Sequence, residues 1–260
     1  IPSVKGFHDI LPDDCARWRW IEQRAHDIFA RYGFAEIRVP IVERTELFSR
    51  SIGETTDIVE KEMYSFADRD GTSLTLRPEG TASVVRAYVE HALQTREPVS
   101  KLAYMGPMFR RERPQKGRLR QFSQIGAEVI GRDDAAIDAE VLLLLHDLLE
   151  VLQIRGARIE INSLGDAACR PAYREQLRAF GEAHRTELCD NCARRLERNP
   201  LRLLDCKVPE CRAATVDAPH MIDHLCEPCA THFAAVRAAL AREHVPVVLN
   251  PRMVRGQIGR

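Results

Sequence analysis

This sequence predicts an α+β fold, and three observations carry the expectation. Two stretches with helical spacing of apolar residues each run into short segments where apolar and polar residues alternate. A strongly basic segment is followed by a further run with two-residue periodicity. Asp166 to Glu243 is then helical, charged and cysteine-rich, with no convincing strand. The expected layout is a core over residues 1–164, a helical insertion over 165–243, and a return to the core over 244–260.

Each element has its own signal. Asp13-Asp14, after Pro12, offers an N-cap; Trp18, Ile21, Ala25, Ile28, Phe29 and Tyr32 then recur at helical spacing, and Gly33 supplies the stop. Ile37, Val39 and Ile41 alternate with polar neighbours, as in a half-buried strand. Asp133-Asp134 caps a second helix striped by Ile137, Val141, Leu144, Leu145, Leu148 and Leu152 and ended by Gly156. Ile159 and Ile161 begin another strand, and Val245 to Val254 returns to strand-like composition.

Composition narrows the functional classes. Among 260 residues, 38 Lys+Arg balance 38 Asp+Glu, so bulk nucleic-acid binding by a wholly basic surface is excluded and any such contact is local. The longest apolar run, Val141 to Leu145, is too short to span a bilayer, and Lys5, His8 and Asp9 interrupt any leader-like stretch. Eight cysteines without a secretory signal suggest a reducing, cytoplasmic setting. The start at Ile1 and the end at Arg260, directly after a strand-like run, lead us to expect a fragment.

The most informative stretch is Tyr104 to Gly131. Within it, Arg110, Arg111, Arg113, Lys116, Arg118 and Arg120 set six cations in eleven residues against one anion, Glu112. A charge run of this kind is ordinarily a solvated loop, but the alternation that follows points to a binding face. Past a turn at Pro114 to Gly117, one strand face carries Arg120, Phe122, Gln124, Gly126 and Glu128, and the other becomes apolar. Arginine offers paired donors to phosphate, Phe122 a flat ring for a base, Gly126 room, and Glu128 an acceptor for a cationic or donor-rich ligand. With no GxxxxGK[ST] loop, phosphate would be held by side chains on a sheet. The pattern suggests a nucleotide plus a small amine-bearing substrate.

Six of the cysteines fall in pairs, Cys189/Cys192, Cys206/Cys211 and Cys226/Cys229. Two such pairs can complete a tetrahedral Zn²⁺ site. The two Cys-x-x-Cys pairs, Cys189, Cys192, Cys226 and Cys229, are the preferred ligands of a structural zinc, with Cys206 and Cys211 as further candidates. The alternative is reduced thiols that fill core gaps, the role expected of Cys15 and Cys169. Apolar residues are sparse across the insertion, so a metal would staple it in place of a large core.

FRRERPQKGRLRQFSQIGAE is similar to motif 2 of class II aminoacyl-tRNA synthetases, in the form found in the histidyl-tRNA synthetase family. LRPEGTAS (Leu76 to Ser83) resembles that family's substrate-binding segment, and VKGFHDILP (Val4 to Pro12) its amino-terminal signature. Gly33 to Phe66, with Pro40, resembles motif 1; NPLRLLDCK resembles part of the insertion domain; and LNPRMVRG resembles the start of the histidine-specific region.

The resemblance implies a six-stranded antiparallel sheet flanked by helices and a homodimer built on motif 1. It implies that histidine and ATP form histidyl-adenylate, and that the histidyl group passes to tRNA(His). Arg110 would hold the α-phosphate, Glu112 the adenine side and Arg118 the outer phosphates, with Phe122 on adenine and Mg²⁺ bridging the outer phosphates. Glu79, Gly80 and Thr81 would form the substrate-amine site with Gln124; Glu128 would accept from imidazole, and Arg255 would meet the α-phosphate. After Gly256 the chain departs from the family pattern, so motif 3 and the anticodon-binding domain are expected to be absent from it. Two alternatives stand beside this reading. One is a histidine-sensing regulatory subunit of ATP phosphoribosyltransferase; against it, Arg110, Glu112, Arg118 and Arg255 are all present. The other, a zinc-ribbon nucleic-acid module, explains the insertion but not the hairpin.

Overall fold

The computed structural model describes residues 1–52 and 62–254. The chain divides into two compact units, Ile1–Asp133 with Asp147–Ile154, and Asp134–His146 with Arg155–Arg260.

In the first unit, α1 (Pro12–Arg31) starts before the expected Asp13-Asp14 cap. Leu11 is its extended N-cap, and Pro12 takes the first helical position, where a missing N–H costs nothing. Asp13 and Asp14 are therefore not caps; they sit in the first turn, where their charges meet the positive end of the helix. The stop is as expected: Gly33 is left-handed (φ +73°), and the Phe34 amide donates to the Phe29 carbonyl at 2.8 Å while their rings touch.

The strand expected through Ile37, Val39 and Ile41 is split. Its pieces are β1 (Ala35–Glu36) and β2 (Val42–Arg44), with Pro40, which has no N–H to give a ladder, between them. Val39 is buried and Ile41 is exposed. Next come α2 (Thr45–Ile52), β3 (Tyr64–Ala67), β4 (Ser73–Leu76), α3 (Thr81–Glu90), β5 (Ser100–Phe109) and β6 (Gln121–Ile130). One sheet runs β1-β5-β6, with β1 parallel to β5 and β5 antiparallel to β6; the other, antiparallel, runs β2-β4-β3. The β5–β6 hairpin pairs over ten residues, from Ser100 with Ile130 to Phe109 with Gln121, and is the platform of the site. Val39, Val84, Ala87, Leu102, Tyr104 and Met108 form the core around it.

In the second unit, Asp134 accepts from the amides of Ala136 and Ile137 and so caps α4 (Ala135–Val151). The short strands β7 (Ile159–Ile161) and β8 (Val247–Leu249) pair in parallel beside Ala139, Val236, Leu240 and Val245. Between them lie four helices, α5 (Arg170–Ala183), α6 (Asp190–Arg198), α7 (Pro209–Ala214) and α8 (Glu227–Arg242), with no strand among the described residues. The expectation of a weak core here is corrected. Tyr173, Leu177, Leu196, Leu203 and Met221 are almost wholly enclosed, and Tyr173 and Leu177 are core residues that the sequence reading left out. Even so, five of the thirteen buried residues in this core are cysteines.

Candidate active site

The basic segment closes as a tight turn. Gln115 and Arg118 exchange backbone hydrogen bonds, and Gly117 supplies the left-handed position (φ +79°). Arg110 donates through Nε to the Pro78 carbonyl at 2.9 Å, and its guanidinium lies 5.1 Å from the Phe122 ring centroid. Among the described residues its terminal nitrogens have no partner, so the cation is anchored at one edge and open at the other. Arg118 and Glu112 pair with each other at 3.2 Å, an exposed contact that a polyanion can displace.

Arg120 departs from the face assigned to it. Its guanidinium donates to the carbonyls of Glu112 and Lys5, while its backbone amide donates to Gly6. It therefore clamps the amino-terminal signature onto the hairpin. Phe7 helps, its ring packing against Tyr64 and Phe109.

At the far end of β6 the charge reverses. Glu79, 4% exposed, caps α3: one carboxylate oxygen accepts from the Thr81 amide at 2.6 Å, the other from the Ala82 amide at 3.0 Å. The Thr81 hydroxyl donates to Glu128 at 2.7 Å, and the Tyr104 hydroxyl approaches the same oxygen at 3.4 Å. Burial raises the pKa of Glu128, and the Glu79 charge raises it further; the bonds from Thr81 and Tyr104 pull the other way. Burial, then the Glu128 charge, pushes the Tyr104 hydroxyl up as well, so it stays a donor. Midway along the strand, the Gln124 side-chain oxygen is enclosed with no hydrogen-bond partner among the described residues. A buried amide oxygen left in that state favours a ligand that brings a donor.

Tyr104 was missed from sequence. It lies opposite Gly126 in the ladder, and a Cβ at either Gly126 or Gly80 would meet its ring at 2.2 Å. The space at Gly126, read as room for a ligand, is thus filled by Tyr104, and Gly80 serves the same ring from the start of α3. Arg77 was also missed. It is 6% exposed and donates to the carbonyls of Val39 (2.8 Å) and Pro107 (2.9 Å), tying the Pro40 segment to β5. Arg255 and residues 53–61 of the motif 1 stretch lie outside the described residues.

The structure does not bring the two Cys-x-x-Cys pairs together. The sulfurs of Cys189, Cys192, Cys206 and Cys211 lie within 4.8 Å of one another. Cys226 and Cys229 instead converge, within the same limit, with Cys169 and a carboxylate oxygen of Asp166. Cys169, read as an isolated packing residue, belongs to that second group.

The model of the family described as histidyl-tRNA synthetase matches residues 6–202. A histidine–tRNA ligase of Trichlorobacter lovleyi is 60% identical over 98% of this chain and 61% of its own length; that of Geobacter metallireducens is 58% identical over 98% and 62%. The chain thus spans about three-fifths of the length of these curated relatives. The crystal structure of apo S. aureus histidyl-tRNA synthetase matches with a TM-score of 0.76 at 36% identity, over 99% of this chain and 58% of that one. An ATP phosphoribosyltransferase regulatory subunit/histidyl-tRNA synthetase from Bacillus halodurans C shares the fold (TM-score 0.67, 20% identity, 97% of this chain and 68% of that one).

Proposed function

Because this chain belongs to the histidyl-tRNA synthetase family, we propose that it carries the amino-acid-activating centre of a histidine–tRNA ligase. In the first step a carboxylate oxygen of histidine attacks the α-phosphorus of ATP, the bond from that phosphorus to the bridging oxygen breaks, and pyrophosphate leaves. A hydroxyl of the terminal ribose of tRNA(His) then attacks the acyl carbon, and AMP departs.

The observation that supports this reading best is the polarity of one strand face. The cation of Arg110 over Phe122 stands at one end, the carboxylates of Glu128 and Glu79 at the other, and the unpartnered Gln124 oxygen between them. Phe122 to Glu128 spans about 20 Å of strand, room for an extended nucleotide–amino acid adduct. Such a face complements a ligand with phosphate at one end and an ammonium and imidazole at the other. Arg110 meets charge developing at the α-phosphate, and Arg255 is assigned the same duty; Arg118 and Glu112 part to receive the outer phosphates and the adenine side. Mg²⁺ enters with ATP as part of the substrate. Gly80 and Thr81 frame the ammonium site with Glu79 and Gln124, and Glu128 accepts from imidazole.

The histidine-sensing regulatory reading is not favoured, because the relatives that share more than half of this sequence carry the ligase name. Dimerisation through motif 1, a cytoplasmic setting and a structural rather than catalytic metal complete the proposal. No helix among the described residues is long and apolar enough to cross a membrane. The test is charging of tRNA(His) with radiolabelled histidine by this chain completed to the length of its relatives. ATP-dependent charging with histidine alone is expected. Failure to charge, or equal charging with other amino acids, overturns the reading.

A further inference from the structure

We infer that the second unit holds two separate structural Zn²⁺ sites of different composition: a four-thiolate site at Cys189, Cys192, Cys206 and Cys211, and a carboxylate–three-thiolate site at Asp166, Cys169, Cys226 and Cys229. Neither site depends on the reading of the hairpin.

Both sites are built on the same local device. Cys189 is the N-cap of α6 (φ −67°, ψ 154°) and Cys226 the N-cap of α8 (φ −65°, ψ 160°). Each carbonyl accepts the first helical bond, from Ala193 and Ala230 respectively, both at 2.9 Å. In each case the second cysteine of the pair sits at the third helical position, so both sulfurs turn toward the helix start. There the free amides and the positive helix end stand beside the ligands of a bound metal. Cys211 occupies the third position of α7, and Cys206 follows the short helical turn Pro200–Leu203; these two complete the first group.

The second group is completed from α5. Cys169 is the N-cap of that helix, and Asp166 lies one turn before it. One carboxylate oxygen of Asp166 accepts from the amides of Ala168 and Cys169, at 2.9 and 3.0 Å. That fixes the group and leaves the other oxygen 3.7 Å from the Cys226 sulfur.

The spacing suits a metal. Ligands on a tetrahedral Zn²⁺ with Zn–S bonds of 2.3 Å stand about 3.8 Å apart. The Cys189 and Cys206 sulfurs are 3.9 Å apart, and all four atoms of either group lie within 4.8 Å of one another. Cysteines that merely fill gaps have no reason to aim four sulfurs at one point, nor to admit a carboxylate among three of them. A divalent ion with four anionic ligands leaves a net charge of 2−. At the first site Arg252 stands as counter-charge: it donates to the carbonyl and hydroxyl of Thr215, whose hydroxyl in turn donates to the Cys211 carbonyl.

The two sites hold different parts of the insertion. The four-thiolate site ties α6 to α7. The mixed site joins residues 166–169 to residues 226–229, near opposite ends of the insertion, and so closes the longer loop. On binding, Zn²⁺ displaces the thiol protons to solvent.

The test is elemental analysis of the protein, completed to the length of its relatives and purified in reducing buffer without chelator. Two Zn²⁺ per chain are expected. Replacement with Co²⁺ should give two tetrahedral centres, separable in a titration by charge-transfer intensity in a ratio of about four thiolates to three. Cys211→Ser should leave one equivalent with the three-thiolate spectrum, and Asp166→Ala one equivalent with the four-thiolate spectrum. Fewer than two Zn²⁺ per chain, iron in its place, disulfides in the protein as purified, or loss of both ions from a folded Cys211→Ser protein would each overturn the inference. Should either variant fail to fold, the zinc count and the Co²⁺ spectrum of the unaltered protein decide the matter.

Discussion

Glu128 sits where charges compete, and that sets a pH dependence. Its carboxyl is raised above the usual glutamate range by burial and by Glu79, against the pull of Thr81 and Tyr104. Only the ionised form accepts from both an imidazole N–H and the Thr81 hydroxyl, so acidification through this raised pKa should weaken histidine binding. The ligand's own imidazole titrates nearby, but its titration in solution is common to wild type and Glu128→Gln and drops out of their ratio. The ratio of their histidine affinities, measured over roughly pH 8 to 5, should therefore shrink toward acid. A constant ratio would contradict the assigned role. A second prediction concerns Gly126, where an added methyl would stand 2.2 Å from the Tyr104 ring. Gly126→Ala should cost about 1–3 kcal/mol in denaturant unfolding and weaken histidine binding by moving Tyr104. Unchanged stability would mean that the ring has somewhere else to go. The need for a missing side chain at Gly126 was legible in the sequence; its occupant was not, because Tyr104 meets Gly126 only through the β5–β6 register.

The hairpin separates two arginines that look alike in sequence. Arg110 rests on Phe122 with its outer nitrogens open among the described residues, whereas Arg120 is spent on the carbonyls of Glu112 and Lys5. Arg110→Ala should slow single-turnover adenylate formation by about 10²–10³-fold and leave the melting temperature nearly unchanged. Arg120→Ala should instead lower stability by about 1–2 kcal/mol and loosen the Val4 to Phe7 segment, with little effect on ATP affinity. The reverse pattern would show that the two assignments are exchanged. The β6 strand was legible because its two faces differ in chemistry, and a period of two then fixes which residues share a face. The strand through Val39 was not, because Pro40 cuts the ladder and Arg77, distant in sequence, satisfies the Val39 carbonyl. Likewise Asp13-Asp14 has the look of a cap, yet Pro12 fits the first helical position better and moves the start back.

Across the molecule, what sequence spacing reveals is local. It marks cysteine pairs within one helical turn, but α5 and α7 decide which pairs meet, so the choice of Cys189, Cys192, Cys226 and Cys229 as one set could not survive folding. The same limit hid the core of the insertion, where Tyr173 and Leu177 are buried by packing of α5 rather than by any apolar run. By contrast the shared face of Phe122, Gln124 and Glu128 was readable, because these three lie along a single strand, although the cation that completes its polarity is Arg110 from just past β5 and not Arg120. Whether that polarity serves adenylate formation is read from histidine-dependent exchange of pyrophosphate into ATP. With this chain completed to the length of its relatives, exchange should require histidine and fall about 10²–10³-fold in Arg110→Ala. Exchange that is absent, that proceeds equally without histidine, or that is unchanged in Arg110→Ala would contradict it.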